Sequence, residues 1–265
     1  MGDKTSITDV TFLIPVRVDS MVRLENLLMV VDFLLTHFST RIHILEATSY
    51  NNGILRTLLP SDVQLTFIED CDPVFHRTKY INVLVSQCQT PYLAVWDTDV
   101  IVPPEQIVES VAYLREEKAD FVYPYEKKFL DTTFILRELY LKTRDLKLLK
   151  KHAGKMPKLY LPNPVGGAFF ADKDAYSNSG MENEHFYGWG REDGDRINRW
   201  EILGYTVRRV SGPLFHFTHE RGVNSSFHSE DQDSIKMSEI FRVISMSRDE
   251  LKDEIDTWKH LKPDI

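Results

Sequence analysis

The sequence predicts an α/β fold, with a mostly parallel central sheet flanked by helices and a helical C-terminal extension. Two observations carry that prediction. Short apolar runs alternate with longer segments of helical apolar spacing, beginning with a strand-helix-strand unit. From Ser234 onward the apolar runs give way to alternating charge on helical spacing. A chain of 265 residues, 42% hydrophobic and 27% charged, is large enough to bury a full core.

Each element has its own signal. "DVTFLIPVR" is short and almost wholly apolar, as a parallel strand buried on both faces should be. "VRLENLLMVVDFLLTHF" has helical spacing, and "RIHILEATS" and "VQLTFIED" read as the next two strands. "RTKYINVLVSQC" is helical, and "PYLAVWDTDVIVP" reads as one buried strand carrying carboxylates at its end. "PEQIVESVAYLREEKA" opens on proline at the first helical turn, and "DFVYPYE" is another strand. Residues 130–151 are expected as one amphipathic helix, basic toward its end. "LPNPVGGAFFADKDAYSNSG" reads as loop, strand and turn, "REDGDRINRWEILGY" as a helix closed near Gly204, and "TVRRVSGPLFHFTH" as a strand pair. With no internal repeat and no low-complexity linker, one domain is expected over 1–233, in halves of about 1–125 and 126–233, and 234–265 as its helical extension.

Composition excludes several classes. A net charge of −8 argues against a nucleic-acid footprint and a polybasic membrane anchor, although "KLLKKHAGKMPK" is locally basic. Two cysteines, Cys71 and Cys88, without ligand-like spacing, give neither a disulfide framework nor a thiolate metal site. No signal-peptide core or integral membrane segment is present, and "MGDKTS" fits a myristoylation pattern only loosely. A reducing cytoplasmic setting is the expectation, with peripheral association to the inner membrane left open.

Three clusters carry chemistry. "VWDTDV" places Asp97 and Asp99 one residue apart at a strand end, where ligands collect in open parallel sheets. Two carboxylates there can converge on magnesium or manganese and bridge it to a phosphate, or they can cap a turn. "FHFTH" spaces His216 and His219 three apart, a spacing open to a metal pair or to structural histidines. With Asp99 they make a mixed oxygen-nitrogen set, better suited to manganese than to calcium. "FYGWGREDGDR" sets Trp189 between two glycines, followed by Glu192 and Asp193 at a helix start. An acid there is favoured as the ionised form by the helix dipole and can take a proton from a sugar hydroxyl, or it can simply decorate the helix end. A flat indole is a good platform for a sugar face.

"GWGREDGDR" resembles the "GWGGEDDD" signature of the family that holds the β-1,4-galactosyltransferases and related bacterial enzymes, with similarity running in gaps from about Thr11 to Asn224. The resemblance implies a GT-A fold, with nucleotide binding in the first half of the domain and acceptor binding and catalysis in the second. "IPVR" is similar to the family's first-strand motif and puts Pro15, Val16 and Arg17 against the nucleotide. "FHRTKYINV" resembles a segment whose aromatic and arginine hold the uridine and diphosphate, here Phe75 and Arg77. "WDTDV" falls on the D-x-D, with Asp99 as metal ligand and Asp97 facing the donor. "GGAFF" resembles the donor-pocket strand with its paired glycines, Gly166 and Gly167. The signature maps Trp189 to the tryptophan that moves over the donor, Trp189, Gly190 and Glu192 to the acceptor site and Asp193 to the general base. His216 and His219 fall on a Met-x-x-His metal pair, and "ERGVNSSFHSED" falls on a lid loop. Glu46, at the end of the second strand, is a ribose or uracil candidate by position alone.

What this implies is a metal-dependent transferase moving a hexose, galactose or N-acetylhexosamine, from a UDP-sugar to a saccharide or glycolipid hydroxyl with inversion. The expected cofactor is Mn2+ or Mg2+. Three departures bear on it: Arg191 stands for a glycine of the signature, Gly194 for an acid, and His216 for the methionine, which hardens the metal site. "NPV" before Gly166 differs from the aromatic of animal members and leaves the donor sugar open. Alternatives are a retaining transferase of the same fold and a metal-dependent nucleotidyltransferase. The second usually carries a glycine-rich loop after the first strand, and "IPVRVDSMVRLENL" has no glycine.

Overall fold

The computed structural model describes residues 4–226 and 229–258. Residues 1–3 of the expected domain, Phe227 and His228 of the expected lid, and 259–265 of the expected helical extension lie outside the described residues.

The chain opens as predicted. Strand β1 (Thr5–Val16), helix α1 (Met21–His37) and strand β2 (Phe38–Thr48) form the strand-helix-strand unit, with β1 and β2 parallel. Ser20 caps α1 by accepting from the Arg23 amide, and the inward face of the helix buries Leu24, Leu27, Val30 and Leu34. A short helix α2 (Ile54–Leu58), which hydrophobic spacing did not signal, leads to β3 (Gln64–Glu69), parallel to β2. Helix α3 (Arg77–Gln87) then crosses to β4 (Tyr92–Trp96), parallel to β1.

The run expected as one strand over 91–103 is two. β4 ends at Trp96, the chain turns through Asp97, Thr98 and Asp99, and β5 (Val100–Ile101) joins a different sheet. The Trp96 indole Nε1–H closes that turn by donating to the Val100 carbonyl at 2.9 Å. Helix α4 (Pro104–Arg115) and strand β6 (Phe121–Tyr123) follow as expected.

The helix expected over residues 130–151 is a strand and two helices. Strand β7 (Lys128–Asp131) precedes α5 (Phe134–Thr143), which Thr133 caps; Arg144, in the left-handed region at φ 53°, ends it, and Asp145 caps α6 (Leu146–His152). Each break falls on a Thr or Asp whose oxygen competes for backbone amides, so local capping overrode the apolar period.

Strand β8 (Ala168–Asp172) runs antiparallel between β4 and β6 and leads into α7 (Lys173–Asn178). Helix α8 (Glu192–Leu203) closes on Gly204 in the left-handed region, as read from sequence. The expected strand pair does not pair with itself: β9 (Val207–Arg209) lies beside β6, and β10 (Pro213–His216) lies between β5 and β7. The result is a seven-stranded sheet in the order β3-β2-β1-β4-β8-β6-β9 and a three-stranded sheet in the order β5-β10-β7. The tail forms α9 (Glu230–Ile244) and α10 (Arg248–Ile255), starting four residues earlier than read because Ser229 caps α9. It packs on its own domain: Val243, Leu251, Ile255 and Trp258 bury against Leu203 of α8. No helix among the described residues is long and apolar enough to cross a membrane.

Candidate active site

The parallel order of β2, β1 and β4 puts their carboxyl ends on one edge, and antiparallel β8 brings its amino end to the same place, with Trp96 opposite Ala168. The small sheet adds the end of β10. Between them lies a cleft of about 430 Å³, lined by every candidate from the sequence except Glu46. Pro15, Val16 and Arg17 come from the end of β1, Phe75 and Arg77 from the start of α3, and Asp97 and Asp99 from the turn after β4. Gly166 and Gly167 precede β8, Trp189 and Gly190 lie in the loop before α8, and Glu192 and Asp193 open that helix. Glu46 is different: it is 3% exposed within β2, opposite Val16 and Phe67, and is not part of the lining. Burial raises its carboxyl above the ordinary range.

Asp99, His216 and His219 offer ligand atoms that all lie within 4.8 Å of one another. Nε2 of His219 is 3.2 Å from Oδ2 of Asp99, and Nε2 of His216 is 3.8 Å from Oδ1. The outer nitrogens are both engaged. His216 Nδ1 meets Asp131 Oδ1 at 2.8 Å, and His219 Nδ1 meets the Glu220 carbonyl at 2.9 Å. A carbonyl and an ionised carboxylate only accept, so each Nδ1 donates; Nε2 of each ring faces Asp99, where a protonated ring bonds the carboxylate and a neutral ring offers its lone pair to a metal ion. Burial works against the charge on Asp99, but the two imidazoles outweigh it and hold the carboxyl well below its usual range. The hydrogen bond to Asp99 raises His219. This oxygen-nitrogen set fits a divalent ion of the manganese or magnesium kind. A backbone bond of 2.7 Å from the Phe217 amide to the Asp99 carbonyl ties the β10 end to the β4 turn.

Asp97 is not one of this ligand group. Its Oδ1 accepts from Arg77 Nη2 at 2.6 Å, while Arg77 Nη1 is buried without a hydrogen-bond partner. Desolvation raises Asp97, with Arg77 opposing it. A buried donor left unpaired at a cleft wall is a group available to a ligand. Arg17 is held in place by the Ala47 carbonyl at 2.9 Å and Asp70 at 2.5 Å, and lies 5.6 Å from the centre of the Phe75 ring.

Across the cleft, Glu192 and Asp193 occupy the first turn of α8. Glu192 is 5% exposed and its Oε2 has no hydrogen-bond partner; burial, then the neighbouring Asp193, pushes its carboxyl up to about 7. Asp193 accepts from Arg196 Nη2 through Oδ1. Its Oδ2 sits where a side chain on residue 166 would begin, since a Cβ on Gly166 would come within 2.6 Å. A side chain at 166 would therefore displace the Asp193 carboxylate from its present position. Arg196 is 1% exposed and is bound in turn by both oxygens of Glu182, at 2.8 and 3.0 Å.

Several lining residues escaped the sequence reading. Tyr160, Arg221, Asn224 and Ser225 line the cleft, and Asn224 Oδ1 accepts from the Phe75 amide at 2.9 Å, so the loop after His219 reaches the α3 end. Asp131 and Arg196 act one layer behind, through His216 and Asp193. Arg196 lay inside the acid-rich stretch already singled out, and Arg221, Asn224 and Ser225 inside the expected lid loop, while Tyr160 and Asp131 lay in neither.

Comparison with known proteins bears on the fold. Residues 149–221 match the family described as the N-terminal domain of galactosyltransferase. No curated protein matches the chain in sequence. Among solved structures, residues 1–349 of S. aureus TarS in complex with UDP-GlcNAc superpose with a TM-score of 0.59 at 14% identity, covering 93% of this chain and 70% of that one. Glucosyl-3-phosphoglycerate synthase from Mycobacterium tuberculosis, in complex with Mn2+, UDP and phosphoglyceric acid, gives 0.55 at 12% identity, covering 89% and 78%. The catalytic domain of Drosophila β1,4-galactosyltransferase 7 in complex with xylobiose gives 0.55 at 16% identity, covering 88% and 79%.

The superpositions establish the class of fold as GT-A. Together with the matched galactosyltransferase segment, they support a glycosyltransferase.

Proposed function

We propose that the protein transfers a hexose, galactose or N-acetylhexosamine, from a UDP-sugar to a saccharide or glycolipid hydroxyl with inversion at the anomeric carbon. The observation that carries this reading is one cleft with a metal-type group, Asp99, His216 and His219, on one wall and a carboxylate pair, Glu192 and Asp193, on the other. The three solved structures named above hold UDP-GlcNAc, UDP with Mn2+, and a disaccharide, which supports a nucleotide-sugar donor and a saccharide acceptor.

In this mechanism Phe75 and Arg17 would hold the uridine, and Arg77 Nη1 would donate to the diphosphate or the sugar. Asp99, His216 and His219 would hold Mn2+ or Mg2+, which supplies charge neutralisation of the leaving diphosphate. Asp193 Oδ2 would accept the proton of the acceptor hydroxyl while that oxygen attacks from the face opposite the leaving group. Arg196 fixes Oδ1 and so aims Oδ2. Glu192, buried and unpaired through Oε2, would bind a second acceptor hydroxyl. Trp189 would cover the sugar face, and the loop over 220–226 would exclude water.

A lipid-linked acceptor fits a second feature. Helix α5 exposes Phe134, Ile135 and Leu139, and residues 127–158 hold ten Lys or Arg against three Asp or Glu in a chain of net charge −8. That combination supports peripheral contact with an anionic membrane surface. The reading as a whole is tested by screening UDP-sugars for a thermal shift with and without Mn2+, where the donor should stabilise the protein only with metal present.

A further inference from the structure

The loop carrying Trp189 is held from outside the cleft. Arg191 closes it in the left-handed region at φ 73°, a conformation that a glycine adopts without penalty and an arginine does not. Its guanidinium does not cap α8; it reaches Asp233 on α9 with two bonds, Nε to Oδ1 at 2.5 Å and Nη2 to Oδ2 at 2.8 Å. One turn further along α9, Lys236, only 3% exposed, donates from Nζ to the Trp189 carbonyl at 2.6 Å. A further turn on, Glu239 Oε1 accepts from Asn183 Nδ2 at 2.8 Å and lies 3.3 Å from His185 Nδ1. Residues 233, 236 and 239 share one helix face by their spacing. That face therefore grips residues 183–191 at three successive points.

We propose that α9 belongs to the catalytic unit, with Asp233, Lys236 and Glu239 as positioning residues that fix the Trp189 loop and, through it, the acceptor side of the cleft. The proposal rests on the transferase reading for its kinetic consequence, not for its structural one. The Arg191 side chain supplies one half of this grip, which offsets its backbone penalty. The same helix begins just after the loop that starts at His219, and Arg221 of that loop lies 5.6 Å from the centre of the Trp189 ring. A shift of α9 would thus be felt on both sides of the cleft mouth. Lys236 also sits within electrostatic reach of Glu192, the first residue of α8, so removing its ammonium changes the field at the acceptor site.

The test uses the full chain with Arg191→Asp, Asp233→Arg, the two combined, and Lys236→Met. Trp96, Trp200 and Trp258 are buried, at 0%, 0% and 6% exposure, so acrylamide quenching of fluorescence reports chiefly on half-buried Trp189. The expected result is stronger quenching in each single variant and in Lys236→Met, an acceptor KM raised about ten-fold with UDP–Mn2+ affinity nearly unchanged, and recovery in the charge-exchanged pair. Quenching in the folded single variants equal to that of the parent would overturn the proposal. So would a charge-exchanged pair no better than either single variant at equal melting temperature. Quenching is read without substrate, so its outcome stands even if no UDP-sugar is turned over.

Discussion

Nδ1 of His216 meets Oδ1 of Asp131 at 2.8 Å, which fixes the ring so that Nε2 points at Asp99. A carboxylate behind a ligating imidazole sets both its tautomer and its orientation. Asp131→Asn should therefore weaken Mn2+ binding by about ten- to a hundred-fold while leaving the fold intact. Titration of the variant with Mn2+, followed by electron paramagnetic resonance of the free ion, checks this; unchanged affinity would mean His216 is not a ligand.

Arg196 lies fully buried between Glu182 and Asp193, and its guanidinium sits 4.3 Å from the centre of the Phe169 ring. Removing it leaves Glu182 charged and buried. Arg196→Met is expected to cost about 3–5 kcal/mol in urea unfolding. The double variant Glu182→Gln, Arg196→Met should lose less than the two single losses added together. Strict additivity would show that the pair is not coupled.

Burial, and after it the neighbouring Asp193, pushes the Glu192 carboxyl up to about 7 in the folded protein, from an ordinary value of 4.5. The folded state binds this proton more tightly than the unfolded chain, so the stability associated with it is present below about 4.5 and is lost as pH rises through about 7. Glu192→Gln removes the loss. The variant should melt a few degrees above the parent at pH 8, with the difference vanishing near pH 4, and should bind acceptor less well. A melting difference that does not depend on pH would contradict the assignment.

Much of the fold was legible because its first half is built from long apolar runs that can only be buried strands or helices. β1, α1, β2 and β3 follow from periodicity alone. The region at 128–152 was misread because capping by Thr133 and Asp145 decides its breaks, and the apolar period passes through them unmarked. Most of the candidate site was legible through its unusual residue clusters. Asp131 was not, because a single acid at a strand end carries no pattern; its effect comes from the parallel register of β7 with β10, which sets it opposite His216. Glu46 does not line the cleft, and strand position alone does not say which way its side chain faces.

If α5 and the basic segment after it meet a membrane, the protein should sediment with vesicles containing anionic lipid and not with zwitterionic ones. Replacing Phe134, Ile135 and Leu139 by serine should reduce that binding without changing transfer to a soluble acceptor. Equal sedimentation of parent and variant would remove α5 from the account.

The central claim is that Asp193 takes the acceptor proton in a cleft where Asp99, His216 and His219 hold the metal. The most direct measurement is single-turnover transfer from a radiolabelled UDP-sugar with Mn2+, for the parent and for Asp193→Asn, with nucleotide affinity determined in parallel. The account predicts metal-dependent transfer in the parent, a loss of about 10²–10⁴-fold in the variant, and UDP affinity nearly unchanged. Transfer by Asp193→Asn at the parent's rate would contradict it.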